Sequence, residues 1–131
     1  QENNKDSEEI RKRCGRFRTL VIGRANAGKT TVLQKVCGTT KRPVVYNARG
    51  EKVSNSITVP MKHLIHHLRG LHDINDTMVF ESTPGFIFHD SQGFEAGGAQ
   101  YIEDVKAFLS ARASTTELQD QVHAVWQVDT Q

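Results

Sequence analysis

Lys29, Thr30 and Thr31 close the pattern Gly23-Arg24-Ala25-Asn26-Ala27-Gly28-Lys29-Thr30, which follows the apolar run Leu20-Val21-Ile22. The spacing Gly-x-x-x-x-Gly-Lys-Thr is physically demanding. The two glycines permit a tight turn whose backbone N–H groups converge, and a helix starting at the lysine adds its positive N-terminal end to the same place. Anionic phosphate is what such a cradle attracts. Arg24, Ala25, Asn26, Ala27 and Gly28 would supply the backbone, Lys29 would reach the outer phosphates, and the Thr30 hydroxyl would sit on a magnesium ion bridging them. Thr31 adds a contact to the inner phosphate. The plainer reading is an ordinary glycine-rich strand-to-helix turn; the apolar run before and the helical pattern after favour the phosphate loop.

A second group lies sixty residues beyond Thr30, in Asp90-Ser91-Gln92-Gly93. Asp-x-x-Gly alone is often a simple turn. Here it ends the apolar run Gly85-Phe86-Ile87-Phe88-His89, so a carboxylate falls at the C-terminal end of a strand, where open α/β sheets bind their ligands. Asp90 would hold magnesium through a water, and the Gly93 N–H is placed to sense a terminal phosphate. The histidines His63, His66 and His67 invite a metal reading because they share one helical face. They project opposite the stripe Met61/Leu64/Ile65/Leu68, toward water, without an acidic or cysteine ligand beside them, so a solvated face is favoured.

The elements that must position these groups can be read around them. Phe17 to Ile22 reads as a strand, and Val32, Leu33, Val36 and Cys37 repeat at helical spacing until Gly38 stops them. A long polar stretch follows, with Pro43, Asn47, Gly50 and Asn55 and only the short extended run Val44-Val45-Tyr46. An amphipathic helix is expected over 61–70. Connections usually run about 4–6 residues, so this much longer one is expected to be functional or mobile. Thr77–Ser82 and Gly85–His89 are β-type runs joined through Ser82-Thr83-Pro84-Gly85, which predicts an antiparallel hairpin. The glycine-dense segment 93–98 is expected to move, as a switch segment would. Tyr101, Ile102, Val105, Phe108 and Leu109 predict a helix packed on the sheet, and Val122–Val128, with Trp126, a further buried strand.

Residues 1–16 carry almost nothing to bury apart from Ile10 and Cys14, so a frayed helix or disordered leader is expected there, with a single domain over 17–131. Arg11, Lys12, Arg13, Arg16 and Arg18 read as a solvated face rather than a basic patch. The sequence has 131 residues, 17 Lys and Arg against 15 Asp and Glu, and a net charge of +2. That balance argues against a nucleic-acid or membrane-surface partner. Two cysteines, Cys14 and Cys37, are too few for a disulfide framework or a zinc site, which suits a reducing, intracellular compartment such as the cytoplasm. No apolar run approaches the ~18 residues of a membrane span. The first residue is Gln1 rather than Met, so an earlier segment removed by processing or by a chosen boundary is expected.

With these residues in view, Arg16 to Thr31 and Phe88 to Gly98 together resemble the small GTPases of the translation-factor class, and in their wording the G-domain proteins of fungi. The likeness covers about 16–128. Asn26 is similar to the Asn-x-Gly-Lys loops of the Era and TrmE relatives, where that asparagine helps to bind a monovalent cation. The resemblance implies an α/β fold of the P-loop NTPase type: three α/β/α layers, a mostly parallel sheet and one antiparallel edge strand hairpinned to the strand that ends in the magnesium-linked aspartate. It implies GTP or GDP as ligand, Mg2+ on Thr30 and Asp90, switch movement around 56–76 and 91–100, and a protein effector whose nature the sequence does not disclose.

Three departures qualify it. The guanine-reading Asn/Thr-Lys-x-Asp is absent, since Thr40-Lys41 continues to Arg42-Pro43; it is expected beyond Gln131, in a chain truncated before its last strands and base pocket. The usual threonine of the first switch is replaced by Arg69-Gly70-Leu71-His72-Asp73-Ile74, with Thr58 the nearest candidate. Phe94 follows Gly93 where a water-orienting glutamine usually stands. Gln92 lies one place early, so hydrolysis centred on Lys29 and Gln92 would be slow or would depend on a group from a partner or a dimer. A P-loop ATPase or kinase, and a non-catalytic interaction module or incomplete fragment, stay open as alternatives.

Overall fold

The computed structural model describes residues 2–24, 27–53, 73–91 and 94–129. Its elements in chain order are α1 (Glu2–Cys14), β1 (Phe17–Gly23), α2 (Lys29–Val36), β2 (Val44–Tyr46), β3 (Thr77–Val79), β4 (Phe86–Asp90), α3 (Phe94–Ala113), a 3-10 turn (Leu118–Asp120) and β5 (Ala124–Val128). The five strands form one sheet in the order β2-β3-β4-β1-β5. β1 sits between β4 and β5 and is parallel to both, with Val21 opposite Asp90 on one side and Trp126 on the other.

Strand alternation sorts side chains to the two faces. Val21, Phe88 and Val128 meet Ala27, Leu33, Cys37 and Phe80 in a buried cluster, with Met78 and Trp126 against it; this is the face that α2 covers. His89, one position on, turns to the other face and packs against Phe108 of α3, ring centroids 4.8 Å apart and the planes tilted by 55°. Ser91 does the same toward Tyr101, with 3.0 Å between the hydroxyls. Asp90 therefore falls on the α2 side, which is what later brings it to Lys29.

The fold is α/β, as expected, but the sheet is mixed rather than mostly parallel. Two of its ladders are parallel and two antiparallel, because β3 pairs antiparallel with both β2 and β4. The connection 80–85 is too short for a crossover, so β3 must return antiparallel to β4. It does so through turns at Phe80–Thr83 and Thr83–Phe86, with Met78 opposite Phe88. The opposed strand is not at the edge, however. Val44–Tyr46, inconspicuous in a polar stretch, pairs outside it.

Other expectations change as well. Within the leader, Glu2–Cys14 is helical and contacts the 3-10 turn. Arg18 is buried, not solvated, since it points into the sheet face beneath α3. Only Leu33 and Cys37 of the α2 pattern are buried, whereas Val32 and Val36 are exposed; one position is a 100° rotation, which carries them off the contact face. Residues from Phe94 onward belong to a helix interrupted at Gly98, with φ 51° and ψ −129°, a conformation that glycine tolerates and a residue with a Cβ does not. β5 is half-exposed rather than buried. The expected 61–70 helix, His63, His66, His67 and Thr58 lie outside the described residues. Among the described residues no helix is long and apolar enough to cross a membrane.

Candidate functional site

β1 delivers the chain to the site at Gly23. A Cβ there would stand 2.5 Å from the Val128 carbonyl oxygen, so the close approach of β5 requires a glycine. The chain then turns tightly, with the Ala27 N–H donating to the Arg24 carbonyl at 3.1 Å. Gly28 adopts left-handed φ 80° and ψ 26° at the N-cap of α2, and no side chain caps the helix. The Gly28 carbonyl accepts from Val32 N–H at 3.0 Å, which starts the helical ladder. No acidic side chain lies in the first turn of α2, so nothing there offsets the partial positive charge of the helix start.

Lys29 leaves that first turn and crosses to the end of β4. Its ammonium donates to the Ser91 carbonyl at 2.8 Å and lies 3.1 Å from Asp90 Oδ1, with the two side chains 10% and 22% exposed. The two sequence motifs, sixty residues apart, thus meet through their charged members. Ser91 fixes the end of the strand. Its N–H donates to the Val21 carbonyl at 3.1 Å, and its hydroxyl reaches the same oxygen at 3.0 Å while touching the Tyr101 hydroxyl.

Of the remaining predicted residues, Arg24 is exposed at the rim, Ala27 is buried under the loop, and Thr30 and Thr31 occupy the first turn of α2, half-buried and exposed respectively. Ala25, Asn26, Gln92 and Gly93 lie outside the described residues. The donor set suits magnesium. Asp90 offers a carboxylate already engaged by a cation, and Thr30 a hydroxyl. Magnesium is typically bound by one or two protein oxygens with phosphates and waters completing an octahedron. Among the described residues there is no group of three His, Cys, Asp or Glu side chains able to hold a metal.

Behind β4 lies a polar pair that residue patterns did not disclose. His89 is fully buried, its Nε2 2.7 Å from Arg18 Nη1 and its Nδ1 2.9 Å from the Ile74 carbonyl. The arrangement suits a neutral ring that accepts from the guanidinium and donates to the carbonyl. Burial, and then the Arg18 charge, push the His89 pKa from 6.5 down to about 4. The one available signal was His89 sitting in an otherwise apolar strand. Leu20 stands opposite His89 on β1 and Arg18 opposite Ile87, so the guanidinium reaches the ring diagonally on the same sheet face.

No protein-family model, curated protein or solved structure matches this chain. The functional reading therefore stands on the geometry of the site and on the resemblance of its motifs.

Proposed function

We propose that the chain binds a nucleotide through its phosphates and a magnesium ion at the loop 23–31, as a guanine-nucleotide switch of the GTPase type. The observation that carries this reading is the meeting of Lys29 and Asp90, 3.1 Å apart, at the N-terminus of α2 and the C-terminal end of β4. A lysine for phosphate and a carboxylate for its metal are needed side by side, and strand alternation and helix start put them there. Guanine as the base, and the three-layer P-loop arrangement with its switches, rest on the resemblance of the motifs.

In this reading the loop N–H groups and Lys29 hold the phosphates, and Thr30 and Asp90 would hold magnesium. Magnesium held there would supply positive charge to offset the charge that develops as a terminal phosphoryl group is lost. Lys29 would add a second positive charge to that site. Hydrolysis by in-line attack of water would be slow, or would depend on a group from a partner or a dimer, because Phe94 occupies the position after Gly93.

Binding of fluorescent GTP and ATP analogues, with and without magnesium, tests the proposal. Lys29→Ala is expected to abolish binding with the circular dichroism unchanged, since its side chain crosses to the end of β4 rather than entering the core cluster. A variant that binds as tightly as the parent would remove the loop assignment, and equal preference for ATP would favour an ATPase or kinase. One observation favours a second reading, an interaction module: β5 pairs with β1 alone among the described strands, and Val125 on it is 49% exposed.

A further inference from the structure

The ion pair between Lys29 and Asp90 joins the two groups that a nucleotide and its metal would each need. Lys29 is also held by the Ser91 carbonyl, which is itself pinned to β1 through two hydrogen bonds to the Val21 carbonyl. Both charged side chains are largely shielded from water. A shielded ion pair resists separation, because either charge left without a counter-charge carries a desolvation cost. An anion that takes Lys29 away leaves the Asp90 carboxylate short of positive charge, and a cation that takes Asp90 leaves the ammonium short of negative charge.

We propose that this pair is a latch that couples the two ligands: phosphate and divalent cation open it by exchange, each replacing the partner that the other has lost. The inference rests on the phosphate-loop reading and adds its regulation. Phosphate without metal meets a closed latch and binds weakly. Metal without phosphate must displace the Lys29 ammonium from Asp90 and also binds weakly. Together each removes the obstacle to the other, and linkage requires the gain to be equal in both directions. The free chain thus stays in a state selective for the metal-nucleotide complex over the nucleotide alone.

Two variants open the latch from opposite sides. Asp90→Asn is expected to bind GTP in the presence of EDTA about three- to tenfold more tightly than the parent, the range for loss of a partly shielded ion pair, and to lose most of the parent's gain on adding magnesium. Glu81→Gln, at an exposed carboxylate, controls for net charge. Lys29→Met, without any nucleotide, is expected to bind manganese several-fold more tightly than both the parent and Lys35→Met, measured by electron paramagnetic resonance. This second arm decides the matter if Asp90→Asn does not fold. Metal-free GTP affinity no higher in Asp90→Asn than in a parent that binds GTP would overturn the latch alone, as would manganese affinity equal in the two lysine variants. A parent that binds GTP in neither buffer would remove the phosphate-loop reading, and the latch with it.

Discussion

His89 shows how one buried side chain couples the stability of the fold to acidity. Its ring is held between Arg18 and the Ile74 carbonyl and against Phe108, over which the Arg112 guanidinium lies at 5.5 Å. Burial and two nearby cations disfavour a further positive charge, although hydrogen bonding to Ile74 and Asp76 partly opposes them. The folded pKa is about 4 against 6.5 in the unfolded chain. Above pH 6.5 neither state holds the proton and the ring costs nothing. Between 6.5 and 4 the unfolded state takes up a proton that the folded state refuses, so stability falls as pH falls and levels off below about 4. The full loss is on the order of 3 kcal/mol. Urea unfolding at pH 7.5 and pH 5 should show it, and His89→Gln should flatten the slope relative to the parent while costing stability at both pH values through lost contact with Phe108. An unchanged slope would mean that His89 takes up its proton at the same pH in the folded and the unfolded chain. Nothing local in the sequence announces this pair, since Arg18 and His89 are 71 residues apart and depend on the β1–β4 register.

At the scale of elements, α2 carries two apolar pairs of which one is buried. Leu33 and Cys37 enter the cluster with Val21, Phe88 and Val128, whereas Val36 is 57% exposed. Leu33→Ala should therefore cost about 2–5 kcal/mol by leaving a cavity, and Val36→Ala should fall within about 0.5 kcal/mol of the parent, both by thermal or denaturant unfolding. Comparable losses would mean that the helix is rotated from this position. The sequence pattern marked both pairs, because hydropathy counts residues and does not see which side the sheet occupies. It did locate β1, the loop, α2 and β4, where period and punctuation agree over consecutive residues. In 94–98, where glycine density predicts movement, Gly98 alone absorbs the break and the chain on either side of it is helical.

At the scale of the whole molecule, the α/β class was legible from alternating strand and helix periods, but strand direction was not. Direction is decided by pairing between distant segments, and the short Val44–Tyr46 strand changes β3 from an edge strand into an inner one. The opposite edge is β5. Its ladder side away from β1 has no strand partner among those described, its residues Ala124-Val125-Trp126-Gln127-Val128 carry no charge or proline, and its burial alternates between partial and exposed up to the buried Val128. Such an edge is a template for another strand, and proteins commonly blunt it with lysine. This chain should therefore associate with itself as concentration rises, with sedimentation coefficients climbing accordingly. Val125→Lys should hold it closer to monomer, because two lysines brought together across paired edges repel. Association that survives Val125→Lys would place the contact elsewhere. If the variant is monomeric and still binds nucleotide with magnesium, the edge and the phosphate site are independent, and the interaction-module reading loses the observation that favours it over the switch.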